Sequence, residues 1–133
     1  MSYSMRPMVA IIDPDPATRQ SLHALLTPLD VDVDDYDSAE SYFAQTGRVA
    51  ARKPACVISD VVLPGISGLQ LLQRIRAADS ELPVVLFASD PEVPMAVEAM
   101  RSGATDFIER PRIDVMLLRR LSTLLSSRGT NCA

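Results

Sequence analysis

The sequence predicts an α/β domain in which a mostly parallel sheet is covered by helices on both faces. Three observations carry this. Short apolar runs and stretches of helical periodicity alternate five times along the chain. The best-defined run, Ala55-Cys56-Val57-Ile58-Ser59-Asp60, reads as a buried strand ending on a carboxylate, and it leads through Val61-Val62-Leu63-Pro64-Gly65-Ile66-Ser67-Gly68 into an amphipathic stretch. At 133 residues and 14.5 kDa the chain fits one domain with a core large enough to fold unaided. The expected boundaries are residues 1–127 for the domain and 128–133 for a loose tail.

Each element has a local reason. Met8 to Ile12 is an apolar run stopped by Asp13-Pro14-Asp15-Pro16, hence a first strand, with Asp15 as cap and Pro16 as first residue of the helix after it. That helix carries Leu22, Leu25, Leu26 and Leu29 on one face, and Pro28 breaks its last turn. Val31 and Val33 alternate with Asp30, Asp32 and Asp34, which predicts a short, half-exposed strand, frayed or at an edge near Asp35. Ser38-Ala39-Glu40 opens a second helix that buries Tyr42 and Phe43.

After the strand ending at Asp60, Ser67 caps a helix whose Leu69, Leu71, Leu72 and Ile75 face the core. Pro83 to Ala88 is the fourth strand. Asp90-Pro91-Glu92-Val93-Pro94 leads into a helix through Met100, and Gly103 takes the left-handed C-terminal cap. Thr105 to Ile108 is a short fifth strand. The last helix runs from Ile113 to Ser126 with Leu117, Leu118, Leu121, Leu124 and Leu125 on one side.

Composition narrows the function classes. A net charge of −4 and a pI near 4.9 supply no basic footprint for a phosphate backbone, which excludes direct nucleic-acid binding from the expectations. Cys56 lies in an apolar run and Cys132 in the polar tail, a usage that fits a reducing, cytoplasmic setting better than a disulfide framework. No apolar stretch approaches the length of a membrane span, and the first residues do not resemble a signal peptide. His23 is the only histidine, so no Ser/His/Asp or Cys/His constellation can be built, and no glycine-rich phosphate loop follows a strand. Independent enzyme chemistry is not expected. Met95 and Met100 read as packing residues, and the acidic run Asp30 to Asp37 reads as a solvated face.

The chemistry lies at the strand ends, because the crevice of an open parallel sheet opens outside its carboxyl edge. That edge receives Asp13 and Asp15 after the first strand, Asp60 after the third, Ala88-Ser89 after the fourth and Arg110-Pro111 after the fifth. Parallel neighbours lie ~5 Å apart. Carboxylates on adjacent strands raise one another's pKa unless a cation screens them, so the edge calls for Mg²⁺ or a basic side chain, with Arg110 as the candidate.

Across roughly Val9 to Leu125 the chain resembles the receiver domain of two-component response regulators. Ile11-Ile12-Asp13 carries the resemblance, with Asp60 and Leu63-Pro64-Gly65-Ile66-Ser67-Gly68, and Ala104-Thr105-Asp106-Phe107-Ile108-Glu109-Arg110-Pro111. Val93-Pro94-Met95-Ala96-Val97-Glu98-Ala99-Met100 looks most like the FixJ group. The resemblance implies a flavodoxin-like (βα)5 three-layer sandwich with strand order 2-1-3-4-5. It also implies that Asp60 is the phosphoacceptor for a histidine kinase. Mg²⁺ would be held by Asp13, Asp60 and the backbone carbonyl of Val62, and Ala88 and Phe107 occupy the switch positions.

The same alignment of positions shows departures. Pro14 stands where the second acid is expected, Ala88 where a Thr or Ser ends the fourth strand, and Arg110 where a Lys ends the fifth. Asp15 is the nearby substitute acid, although capping is its first local role. Metal affinity is expected to fall, and Arg110, a planar fork, is expected to pair with Asp60 or Asp13 without a metal. The leading expectation is a receiver with a degenerate acceptor site acting through protein–protein interaction, with a histidine kinase or another signalling protein as partner. The resemblance also suggests a homodimer through the fourth-helix and fifth-helix face, with Met95, Arg101, Arg119 and Arg120 available. Two alternatives stand beside it: a fully working Mg²⁺-dependent acceptor, and a small-ligand-binding flavodoxin-like domain. With the chain ending soon after the fifth helix, output is expected to pass through another protein unless this is a piece of a longer regulator.

Overall fold

Sorting the strand residues by parity explains how the sheet is covered. The computed structural model describes residues 6–47, 52–89, 91–110 and 113–131, with side chains of the last stretch described over 116–125. Five parallel strands, β1 (Met8–Ile12), β2 (Asp32–Tyr36), β3 (Cys56–Asp60), β4 (Val84–Ala88) and β5 (Asp106–Glu109), form one sheet in the order β2-β1-β3-β4-β5. Between and after them run α1 (Pro16–Leu25), α2 (Ala39–Thr46), α3 (Gly68–Ala78), α4 (Val93–Arg101) and α5 (Ile113–Asn131). This is the α/β, flavodoxin-like architecture expected from the sequence.

Successive strand side chains point to opposite faces. Val9, Ile11, Cys56, Ile58, Val85, Phe87 and Ile108 therefore fall on one face and pack with Leu22 and Leu26 of the α1 region and Leu117 and Leu121 of α5. Ala10, Ile12, Val57, Val84, Leu86 and Ala88 fall on the other and pack with Tyr42 of α2, Leu71, Leu72 and Ile75 of α3, and Ala99 of α4. β1, β3 and β4 are covered on both sides, which is why their sequences are apolar at consecutive positions. β2 is the edge strand and only half-buried, as its Asp-Val alternation predicts.

The caps follow the sequence closely. Asp15 accepts from the Ala17 N–H at the start of α1, and Ser38 accepts from Ser41 at the start of α2. At α3, Ser67 and Gln70 form a reciprocal capping box. Gly68 allows the end of β3 and the start of α3 to touch: a Cβ there would stand 2.3 Å from the Asp60 carbonyl oxygen. Gly103 has φ 101°, the left-handed cap expected after α4.

Some boundaries differ from the sequence expectations. α5 continues to Asn131 rather than stopping near Ser126, so residues 128–131 are helical where a loose tail was expected. β5 runs one residue further, to Glu109. Asp35 pairs with Ile11 within β2, the edge strand, which is the edge position expected for it. Asp90, Pro111 and Cys132 lie outside the described residues. Among the described residues, no helix is long and apolar enough to cross a membrane.

Candidate functional site

Parity and register together assemble the charged site. Ile12 pairs with Ser59 across β1 and β3, so the next residues, Asp13 and Asp60, leave the sheet side by side. Asp60 pairs in turn with Phe87 of β4. Asp13, Asp60, Phe87 and Arg110 continue the parity of Ile11, Ile58, Val85 and Ile108, which places all four on the α1/α5 face.

Arg110 reaches back across the edge. Its Nη1 lies 3.3 Å from Asp60 Oδ2 and 4.0 Å from Asp13 Oδ2. Its Nη2 donates to Thr18 Oγ1, and its Cζ sits 5.5 Å from the centroid of the Phe87 ring. A guanidinium on an aromatic face gains a further electrostatic contact, so the fork is held on several sides. The other oxygen of Asp60, Oδ1, accepts from the Val62 N–H at 2.9 Å. Val62 itself is exposed in the loop after β3.

Asp13 is the most constrained acid. It is 1% exposed, its Oδ1 accepts from the Asp15 N–H at 2.8 Å, and its Oδ2 is buried without a hydrogen-bond partner among the described residues. Burial pushes its carboxyl up to about 6, against the pull of the Asp15 N–H; the adjacent Asp60 carboxylate adds to the rise and Arg110 offsets part of it. Asp15, by contrast, is exposed and already engaged: its Oδ1 takes the Ala17 N–H at 3.1 Å and its Oδ2 takes the Thr18 hydroxyl at 3.0 Å. Pro14, between them, is exposed and brings no carboxylate.

Ala88 and Phe107 lie on the opposite face. Ala88 is buried in the cluster with Leu86, Ala99 and Ala104, and Phe107 packs against that cluster half-buried. Ser89, one residue on, is exposed. The switch positions are thus apolar and belong to the core on the α2/α3/α4 side.

Among the described residues, no group of three or more His, Cys, Asp or Glu side chains is placed to hold a metal ion. The orphaned Oδ2 of Asp13 nonetheless suits a cation. Asp13, Asp60 and the Val62 carbonyl are hard oxygen donors of the kind Mg²⁺ takes, with waters completing its shell. Arg110 occupies the same electrostatic niche.

Sequence reasoning named Asp13, Asp60 and Arg110, and the structure brings them together. It missed Thr18 and Phe87. Thr18 stands three residues after the cap Asp15, where a side chain returns toward the helix start, and that spacing was the available signal. Beside Arg110 and Thr18 an open pocket of about 300 Å³ is lined also by Ala17, Ser21 and Leu22.

A family model described as the response regulator receiver domain matches residues 9–122. The chain is 36% identical over 119 residues to the transcriptional regulatory protein FixJ of Bradyrhizobium diazoefficiens, covering 90% of this chain and 55% of that protein. To FixJ of Azorhizobium caulinodans it is 39% identical over 110 residues, covering 83% and 51%. Among solved structures it is similar to a response regulator receiver protein from Pseudoalteromonas atlantica, with a TM-score of 0.82 and 31% identity over 92% of this chain and 99% of that one. The crystal structure of FixJ-N gives a TM-score of 0.76 and 31% identity over 93% and 94%. The chain spans about half the length of these FixJ relatives.

Proposed function

Because this chain belongs to the response regulator receiver domain family of two-component systems, we propose that it is a receiver whose acceptor, Asp60, rests paired with Arg110. It signals through protein–protein contact, with phosphoryl transfer attenuated. The observation that carries this reading is the 3.3 Å contact between Arg110 Nη1 and Asp60 Oδ2. An internal cation there removes part of the need for an external one.

Three residue types support the attenuation. Pro14 brings no second acid, Asp15 is committed to the α1 cap, and Ala88 offers no hydroxyl to a phosphoryl oxygen. Asp13, Asp60 and the Val62 carbonyl would hold Mg²⁺, which neutralises carboxylate and phosphoryl charge when bound. Arg110 competes with it, so metal affinity is low.

The surface of α4 supports the interaction mode. Val93, Val97 and Met100 recur at i, i+4 and i+7 and are exposed, and Met116 of α5 is exposed as well. This is the face expected to meet a second copy or another signalling protein, with a histidine kinase as the partner on the input side. Of the residues first assigned to it, Met95 instead packs against the core and Arg120 pairs with Asp106 at 3.6 Å and with the Thr105 carbonyl, leaving Arg101 and Arg119 exposed. The acidic balance supports a protein partner rather than direct DNA contact by this domain, the sparse cysteines support a cytoplasmic setting, and the single histidine supports a non-enzymatic role.

The second reading is a fully working acceptor, and Asp13 Oδ2, without a hydrogen bond among the described residues, favours it. Acetyl phosphate with Mg²⁺, followed by intact mass, separates the two. The attenuated reading expects a minor fraction carrying one added phosphoryl group. Near-complete conversion that disappears in Asp60→Ala sinks it.

A further inference from the structure

Thr18 has one proton and gives it to Asp15 Oδ2 at 3.0 Å. Its lone pairs are therefore left to accept, and what they accept is Arg110 Nη2. The other arm of the same guanidinium meets Asp60. A polarised chain thus runs from the cap carboxylate of α1 through Thr18 and Arg110 to the acceptor carboxylate, linking residues 92 positions apart at one bond and 50 at the next.

We propose that Thr18 is the positioning residue that holds Arg110 over Asp60, so that the first turn of α1 sets how firmly the acceptor site is closed to cations. This rests on the charge-paired reading of the site. A guanidinium fork bridges two partners at fixed geometry, and losing one of them leaves the side chain free to rotate away. The Phe87 ring supports the plane but offers no directional bond, so Thr18 is what fixes the second arm. Asp15 has a matching place in this arrangement: it orients the Thr18 hydroxyl instead of serving the metal.

The latched state and a bound divalent cation compete for Asp13 and Asp60. Removing a hydrogen bond present only in the latched state shifts that competition toward the cation by about fivefold, the ratio for one net hydrogen bond. The full chain is titrated with Mn²⁺ alone, free ion being read by electron paramagnetic resonance. Thr18→Val, nearly the same shape without the hydroxyl, is expected to bind Mn²⁺ about fivefold more tightly than wild type, and Thr18→Ser to restore the wild-type value.

Arg110→Ala separates the two levels of the argument. Tighter Mn²⁺ binding in Arg110→Ala supports the charge-paired reading; unchanged binding overturns that reading. If Arg110→Ala binds more tightly but Thr18→Val matches wild type, the role of Thr18 alone is overturned. The double variant must show no further gain over Arg110→Ala, since a gain that persists without Arg110 assigns the effect to the α1 cap and overturns the proposal. Where no variant binds Mn²⁺ measurably, ¹⁵N spectra of the Arg110 side chain decide. Restricted rotation of its Nη groups, released in Thr18→Val and restored in Thr18→Ser, supports the proposal, and identical spectra overturn it.

Discussion

On the face covered by α1 and α5 the strand ends carry Asp13, Asp60 and Arg110 above the Phe87 ring, whereas on the face covered by α2, α3 and α4 the corresponding positions are Ala88 and Phe107. The first face is polar and wired by directional bonds; the second is packed by apolar contact alone. A change of charge at Asp60 therefore meets Arg110 and Thr18 at once, while no hydroxyl at Ala88 passes it to the α4 side. The charged site is coupled to α1 by direct hydrogen bonds and to α4 by none among the described residues.

The largest effect is expected from Phe87→Ala. The ring is fully buried between α1 and α5 and also underlies the guanidinium. Truncation leaves a large cavity and costs about 3–5 kcal/mol in urea unfolding. The contrast is sharpened by Phe87→Leu, which restores most of the volume without the aromatic face. If the ring matters only as filling, the leucine variant keeps Arg110 in place; if the cation–π contact holds the fork, Arg110 becomes mobile although stability largely returns.

Asp13→Asn comes next, and its sign follows from linkage. The carboxyl titrates near 3.8 when unfolded and about 6 when folded, so the folded state binds more protons between those values. Its contribution to stability is intact below about pH 4 and is lost as pH rises through about 6. An asparagine keeps an oxygen for the Asp15 N–H and has no proton to lose. The variant is expected to be about 1–3 kcal/mol more stable than wild type at pH 7, with the gap closing near pH 4. Denaturant midpoints measured across that range test this, and a gap that stays constant with pH would falsify it.

How far all this was legible in the sequence depended on the kind of information required. Strand existence and order of faces were legible because burial on both sides forces apolar residues at consecutive positions, as in Val84 to Phe87. Asp13, Asp60 and Arg110 were legible because each ends or directly follows a strand at the carboxyl edge. Thr18 and Phe87 were not, since their roles exist only once the long arginine side chain crosses from β5 to β3, a path that no local pattern specifies. The end of α5 was misplaced because Ser127-Arg128-Gly129 reads as a helix stop, yet the helix continues past that glycine. On α4 the exposed stripe of Val93, Val97 and Met100 depends on helical phase, and Met95, read as a packing residue but also offered to a dimer face by the resemblance, packs against the core.

The smallest stability effect is expected from Ala88→Ser, which addresses the apolar face itself. Ala88 is 2% exposed among apolar neighbours, so a hydroxyl there has no ready partner in the resting state and costs about 1 kcal/mol in thermal or urea unfolding. The functional readout discriminates more than the stability does. If the site is attenuated mainly because that oxygen is missing, Ala88→Ser alone raises beryllofluoride binding in the presence of Mg²⁺, and the Phe107 ring resonances shift with it. If Arg110 is the dominant cause, the serine variant binds no better than wild type until Arg110 is also replaced. Only the second outcome is compatible with a site closed from the α1 face, because a hydroxyl added at residue 88 leaves the Asp60–Arg110–Thr18 chain untouched.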